Sequence, residues 1–114
     1  MGEKIKITSG SVEMTATLND SKTSMELLKI LPVESNAERW GEEVYFGIPL
    51  EMPAEDAQAE VPSGTIAYWP EGPAFCIFFG QTPYSPVNVL GQTDGEASEF
   101  GKVGSGDPIR IEKA

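Results

Sequence analysis

Alternation with a period of two runs through most of the chain. Ile5 and Ile7 alternate with Lys4 and Lys6, and Val12, Met14, Ala16 and Leu18 alternate with Glu13, Thr15 and Thr17. Successive side chains on a strand point to opposite faces, so both stretches read as half-buried strands. Ser9-Gly10 between them reads as a hairpin turn. The period changes in "TSMELLKILP": Met25, Leu28 and Leu31 recur at helical intervals, and Thr23 followed by Glu26 has capping-box spacing. Pro32 stops that segment, which predicts a helix of about two turns.

Beyond the helix, "EVYFGIP" returns to alternation, with Val44, Phe46 and Ile48 on one face and Tyr45 on the other. Residues 50–64 form a loop rich in acids, Pro and Ala that ends in a turn at Ser63-Gly64. "TIAYW" and "AFCIFF" follow as strands joined by a tight connection at Pro70, Gly72 and Pro73, and "VNVLGQ" is a further strand. A Gly-rich polar stretch with one helical turn near Ala97–Phe100 leads to "PIRIEK", with Ile109 and Ile111 inward and Arg110 and Glu112 outward. Seven or eight short strands, one helix and frequent Gly/Pro turns predict a mainly β sandwich or closed barrel. "AFCIFF" decides for the barrel. Phe75, Ile77 and Phe79 lie on one side and Ala74, Cys76 and Phe78 on the other, so the strand must be covered twice, by a barrel interior and by a helix or loop outside.

Composition narrows the chemistry. At 114 residues the chain fits one domain with its own core. No run of eighteen apolar residues predicts a membrane span, and the first residues carry no signal-peptide core. One cysteine makes no internal disulfide, in keeping with a cytoplasmic location. Histidine is absent, which removes the usual general base, Cys/His zinc sites and the Ser-His-Asp and Cys-His arrangements. No Ca²⁺-loop pattern occurs, so neither a metal nor a cofactor is expected. All eight Lys and Arg lie in residues 1–39 and 102–114, whereas residues 40–101 hold ten acids and no basic residue. A centre without cations cannot grip phosphate, so nucleic acid is not an expected partner. A cleft there suits a neutral or cationic ligand.

The aromatic run of residues 67–83 raises the question of core against site. Phe75, Phe78 and Phe79 read as core, whereas Tyr45, Tyr68 and Trp69 carry polar tips that need partners. Tyr68 and Trp69 lie on opposite strand faces, so at most one points into any given cavity. Cys76 reads as a small buried hydrophobe, since no base is near to make it a thiolate. "ERWGEEVY" places Glu43 and Tyr45 on one strand face, within reach of Arg39, as a polar patch at a pocket mouth or a surface ion pair. Gly80–Pro83 follows the apolar strand, and Thr82 offers a hydroxyl there.

The order of elements resembles the cyclophilin fold. The segment "YWP…FCIFFG.TP" at residues 68–83 resembles the small prokaryotic cyclophilin-like family, distinct from the isomerase cyclophilins. That resemblance covers nearly the whole chain and implies a closed eight-stranded β-barrel with one or two short capping helices. The isomerase site it implies is mostly unmatched. Aligned on Ile48-Pro49, the catalytic Arg position falls on Phe46, the pocket Phe on Glu51, the pocket Gln on Ala54, and the His near Val87. Met52 matches, and the later pocket Phe falls on Cys76, or on Phe75 if the register slips by one. Without a donor at the proline nitrogen the barrier of about 18–20 kcal/mol stays uncatalysed. The expected function is a non-catalytic barrel that binds a small molecule or a peptide segment. Its expected pocket is lined by Tyr45, Phe46, Met52, Tyr68 and Phe75, with Arg39, Glu43 and Thr82 as polar contacts. The alternatives are a weak prolyl isomerase using Arg39, and an interaction subunit whose acids Glu55, Asp56 and Glu60 dock a basic partner.

Overall fold

The computed structural model describes residues 2–81, 83 and 85–114. Nine antiparallel strands form one sheet: β1 (Lys4–Ser9), β2 (Val12–Leu18), β3 (Val33–Asn36), β4 (Glu38–Arg39), β5 (Glu43–Gly47), β6 (Thr65–Trp69), β7 (Ala74–Phe78), β8 (Asn88–Thr93) and β9 (Pro108–Lys113). Their order is β3-β9-β1-β2-β8-β6-β7-β5-β4. The two strands at the ends of that order are neighbours in the chain, separated by Ala37 alone. β3 pairs with β9 and β4 pairs with β5, so one bent segment bridges the two sides of the sheet. At the bend the Ala37 N–H donates to Asp107 O and its carbonyl accepts from Gly106 N, both at 2.7 Å. The result is a nearly closed barrel. Taken as one element, residues 33–39 bring the strand count to the eight expected; the kink at Ala37 accounts for the ninth.

The alternation in the sequence decides which residues fill the barrel. Ile5, Ile7, Ala16, Leu18, Val44, Phe46, Ile66, Phe75, Ile77, Leu90, Ile109 and Ile111 are buried in a single cluster. One residue per strand face in register gives this inward set, with Phe46 directly across from Phe75 and their rings stacked at 5.2 Å. The β6–β8 ladder slips at Ile66/Ala67, where the register jumps from Gly91 to Val89. Gly91 makes that slip possible. Its φ is +154°, and a Cβ there would lie 1.9 Å from the Thr17 carbonyl oxygen.

The helix α1 (Lys22–Ile30) begins two residues earlier than the capping-box spacing suggests. Its N-cap is Ser21, whose hydroxyl accepts from the Ser24 N–H, and Thr23 lies inside the first turn. Its buried residues are Thr23, Ser24 and Leu27, while Met25, expected on the inner stripe, is 57% exposed. Hydroxyl anchoring sets this rotation. Ser24 donates to Asn19 Oδ1 and Leu90 O, and Thr23 donates to Glu55 Oε1 at 2.7 Å. Glu55 also accepts from the backbone N–H groups of Lys22 and Thr23, and these bonds hold its carboxyl below the usual carboxylate range. The buried Asn88 locks the loop in place. Its Oδ1 accepts from Glu55 N, and its Nδ2 donates to Pro53 O and to Thr23 Oγ1. The second helical piece is a 3₁₀ helix over Ala97–Lys102, which buries Ala97 and Phe100.

Candidate functional site

The sheet divides the aromatic run in two. Tyr68 and Phe75 face the barrel interior and are fully buried. The alternate residues Ala67, Ala74, Cys76 and Phe78 face outward and make a separate apolar cluster with Val87, against which Tyr45, Val61 and Trp69 pack. This is the double covering that a strand apolar on both faces requires, with Pro83, Ser85 and Val87 supplying the outer part.

On that outer face lies a cleft of about 190 Å³. Cys76 and Phe78 of β7 and Glu43 and Tyr45 of β5 line it, because Tyr45 pairs across from Cys76 and Glu43 across from Phe78. Trp69 of β6 and Val87 form one wall, Trp40 another, and Pro83 and Ser85 complete the lining. The wall is braced by a 2.6 Å hydrogen bond from Trp69 Nε1 to Ser85 Oγ. Trp40 is 43% exposed at the mouth. It is tied to the strand start by reciprocal backbone bonds with Glu43, of 3.0 and 3.1 Å.

Glu43 is the unusual member. It is only 5% exposed, in a cleft walled mainly by aromatic and aliphatic carbon. Burial penalises the ionised form and lifts its carboxyl to about 7, and a hydrogen bond from the Cys76 thiol opposes part of that rise. The effect on Cys76 is reciprocal: burial first, then the neighbouring carboxylate, push its thiol well above the ordinary value. Cys76 is thus the buried small residue expected from the sequence, with one polar duty added. The arrangement keeps a carboxyl poised between its two protonation states near neutral pH, beside a thiol that stays protonated.

The residues expected to share one pocket are divided by the sheet, although Met52 and Tyr68 share the lining of a second, open cleft with Glu51, Pro53, Pro70 and Pro73. Glu43 and Tyr45 line the outer cleft. Phe46, Tyr68 and Phe75 lie inside the barrel with no exposed surface, since Tyr45 and Phe46 are consecutive on a strand and cannot share a face. Met52 packs at the edge of the core beside Tyr68, whose hydroxyl donates to Leu50 O at 2.6 Å and accepts from Met52 N at 2.9 Å. Tyr68 is therefore a buried strut for the 50–52 turn. Arg39 binds carbonyls, with Nη1 on Gly101 and Val103 and Nε and Nη2 on Gly41, and its guanidinium lies 5.2 Å from the Phe79 ring centroid. It does not reach Glu43's cleft. Thr82 lies outside the described residues. Of the three loop acids, Asp56 and Glu60 are exposed, and Glu55 is committed to the helix.

Sequence parity does indicate part of the cleft. Glu43 and Tyr45, Cys76 and Phe78, and Ala67 and Trp69 each share a face of their own strand. Trp40, Trp69, Cys76, Phe78, Pro83, Ser85 and Val87 lie outside the expected pocket: Cys76 and Phe78 read as core, and Trp40, Pro83 and Ser85 sit in connections that carry no periodic signal. Among the described residues, no group of three or more His, Cys, Asp or Glu is placed to hold a metal ion. No helix among them is long and apolar enough to cross a membrane.

The fold is that of a cyclophilin-like barrel. The chain belongs to the cyclophilin-like family, whose model matches residues 3–112. It is similar to the solution structure of the hypothetical protein AF2241 from Archaeoglobus fulgidus, with 29% identity, a TM-score of 0.85, and coverage of 99% of this chain and 95% of that one. It also superimposes on McbB, solved in complex with tryptophan, at 18% identity and a TM-score of 0.77, over 96% of this chain and 44% of that one. That second likeness is one of fold. No curated protein matches the chain.

Proposed function

We propose that this protein is a non-catalytic binding module whose ligand, a small molecule or a single side chain of a peptide, sits in the outer-face cleft. The observation that carries the reading is Glu43: a carboxyl 5% exposed among Tyr45, Trp69 and Phe78. Burying such a group costs several kcal/mol unless it is paired, and a fold alone has no need of it. Carboxyls perturbed by desolvation in a cleft cluster at functional sites. A mostly apolar lining with few polar groups is the usual chemistry of a small-molecule site, and about 190 Å³ suits a fragment rather than a drug-sized ligand.

The experiment is a fragment titration of the ¹⁵N-labelled protein. Ligands in the cleft move the Trp69 indole and the Glu43 and Cys76 amides and leave Tyr68 and Phe75, inside the barrel, unmoved. A library that perturbs no cleft resonance at millimolar concentration refutes the reading.

A further inference from the structure

Resting on that reading, we propose that the cleft selects organic ammonium ions: Glu43 acts as the counter-ion and the aromatic walls hold the apolar body. Three independent features of the site converge on this ligand class. The first is charge. Every described residue lining the cleft lies between positions 40 and 87, and no Lys, Arg or His occurs between 40 and 101. A carboxylate ligand would therefore find no cationic partner among the described lining residues, whereas a cation meets the carboxyl of Glu43.

The second feature is the wall. Tyr45, Trp69, Phe78 and Trp40 present aromatic rings around that acceptor. Ring faces carry negative partial charge and attract cations, most strongly where water is excluded. An ammonium group thus finds a full charge at one side of the cleft and favourable ring surface around it.

The third is the state of the carboxyl. Glu43 has Cys76 as a donor from β7, and a thiol is a weak donor. The other titratable groups turned toward it do not neutralise it: Tyr45 is on its own strand, and Glu38 on β4 pairs across from Tyr45 on the same face. Arg39, the nearest cation in sequence, is engaged with the carbonyls of Gly41, Gly101 and Val103. The site therefore lacks a positive partner, and burial raises the carboxyl to about 7 as a result. A bound ammonium restores that partner with a charge-assisted hydrogen bond and so favours the ionised form. Affinity for the cation must then fall as the pH drops below about 7 and Glu43 takes up its proton.

The test uses three probes of one shape: phenethylamine, 2-phenylethanol and 3-phenylpropanoate. Each is titrated into the intact protein at pH 8 and pH 6, with the Trp69 indole and Glu43 amide as readouts. At pH 8 phenethylamine is expected to bind about tenfold tighter than the alcohol, a difference typical of one charge-assisted hydrogen bond, and the propanoate weakest. At pH 6 the amine, still fully protonated, is expected to lose about that tenfold advantage, with the alcohol unchanged. Glu43→Gln is expected to abolish the preference at both pH values while retaining alcohol binding. If that variant does not fold, the pH comparison on the unaltered protein decides the question alone. Equal binding of amine and alcohol at pH 8, or a preference that persists at pH 6 or in Glu43→Gln, overturns the ammonium inference and leaves the binding reading standing. Failure of all three probes to move a cleft resonance overturns both.

Discussion

Glu43 and Cys76 are diagonal neighbours on adjacent strands of the outer face, and the thiol of one donates to the carboxyl of the other. This pair makes the folded protein sensitive to pH in a predictable direction. The carboxyl rises from 4.5 to about 7 on folding, so the native state keeps a proton that the unfolded chain has lost across that window. Native stability must then fall as pH rises from about 4.5 to 7, and the full loss is present above it. The magnitude is on the order of 1–3 kcal/mol. Urea melts at pH 5 and pH 8 check it, and Glu43→Gln should flatten this part of the profile.

Removing the donor should move the titration further. Cys76→Ala takes away a hydrogen bond that favours the ionised carboxylate, so the Glu43 midpoint should climb above about 7. Cys76→Ser keeps a donor and should hold it at or below that value. The side-chain ¹³C shift of Glu43 reads both. In the unaltered protein, alkylation of Cys76 at pH 8 should be much slower than that of a free cysteine, because burial and the carboxylate both suppress the thiolate.

Tyr68 should behave as a structural residue. Tyr68→Phe keeps the ring in the barrel but leaves Leu50 O and Met52 N without their partner. The expected cost is about 1–3 kcal/mol, with no change in affinity for any ligand of the outer cleft. Denaturant melts and a fragment titration on the same variant separate the two effects. Weaker cleft binding in a variant that remains folded would show that Tyr68 belongs to the site.

Arg39 is expected to contribute stability and no isomerase chemistry. Its guanidinium serves the carbonyls of Gly41, Gly101 and Val103, joining the β4–β5 turn to the end of the 3₁₀ helix, and lies over Phe79. Arg39→Ala should cost about 1–2 kcal/mol, and Arg39→Lys should recover little, since an ammonium cannot span the same acceptors. A protease-coupled assay with a proline tetrapeptide should give the uncatalysed rate for the unaltered protein. Acceleration that disappears in Arg39→Ala would reverse this assignment.

The barrel was legible because alternation is a local signal. Ile5/Ile7, Val44/Phe46, Phe75/Ile77 and Ile109/Ile111 each declare their inner face within a few residues, and all eight are buried. The helix face was less legible. Met25 fits a helical period, yet the turn is rotated toward Thr23 and Ser24 by partners at Glu55, Asn19 and Leu90, the nearest five positions away and the others more than thirty. The cleft was half legible for the same reason. Parity placed Glu43 with Tyr45, but the expected list joined Tyr45 to Phe46 and Phe75, which face the other way. The β5–β7 register that sets Glu43 beside Cys76 is a long-range fact, as is the return of Ser85 and Val87 over the outer face. Sequence pattern alone does not carry such distances.

The bend at Ala37 has a consequence for how this molecule meets its own copies. A sheet whose edges are long and unpaired offers a template to other chains, which is a common route to aggregation. Here the last strands on either side are the two halves of one segment, four residues long in β3 and two in β4. Part of even that short margin is occupied, since the Arg39 N–H donates to Ser105 Oγ and the Ala37 N–H to Asp107 O. A second chain trying to add a strand would find a ladder too short to hold it.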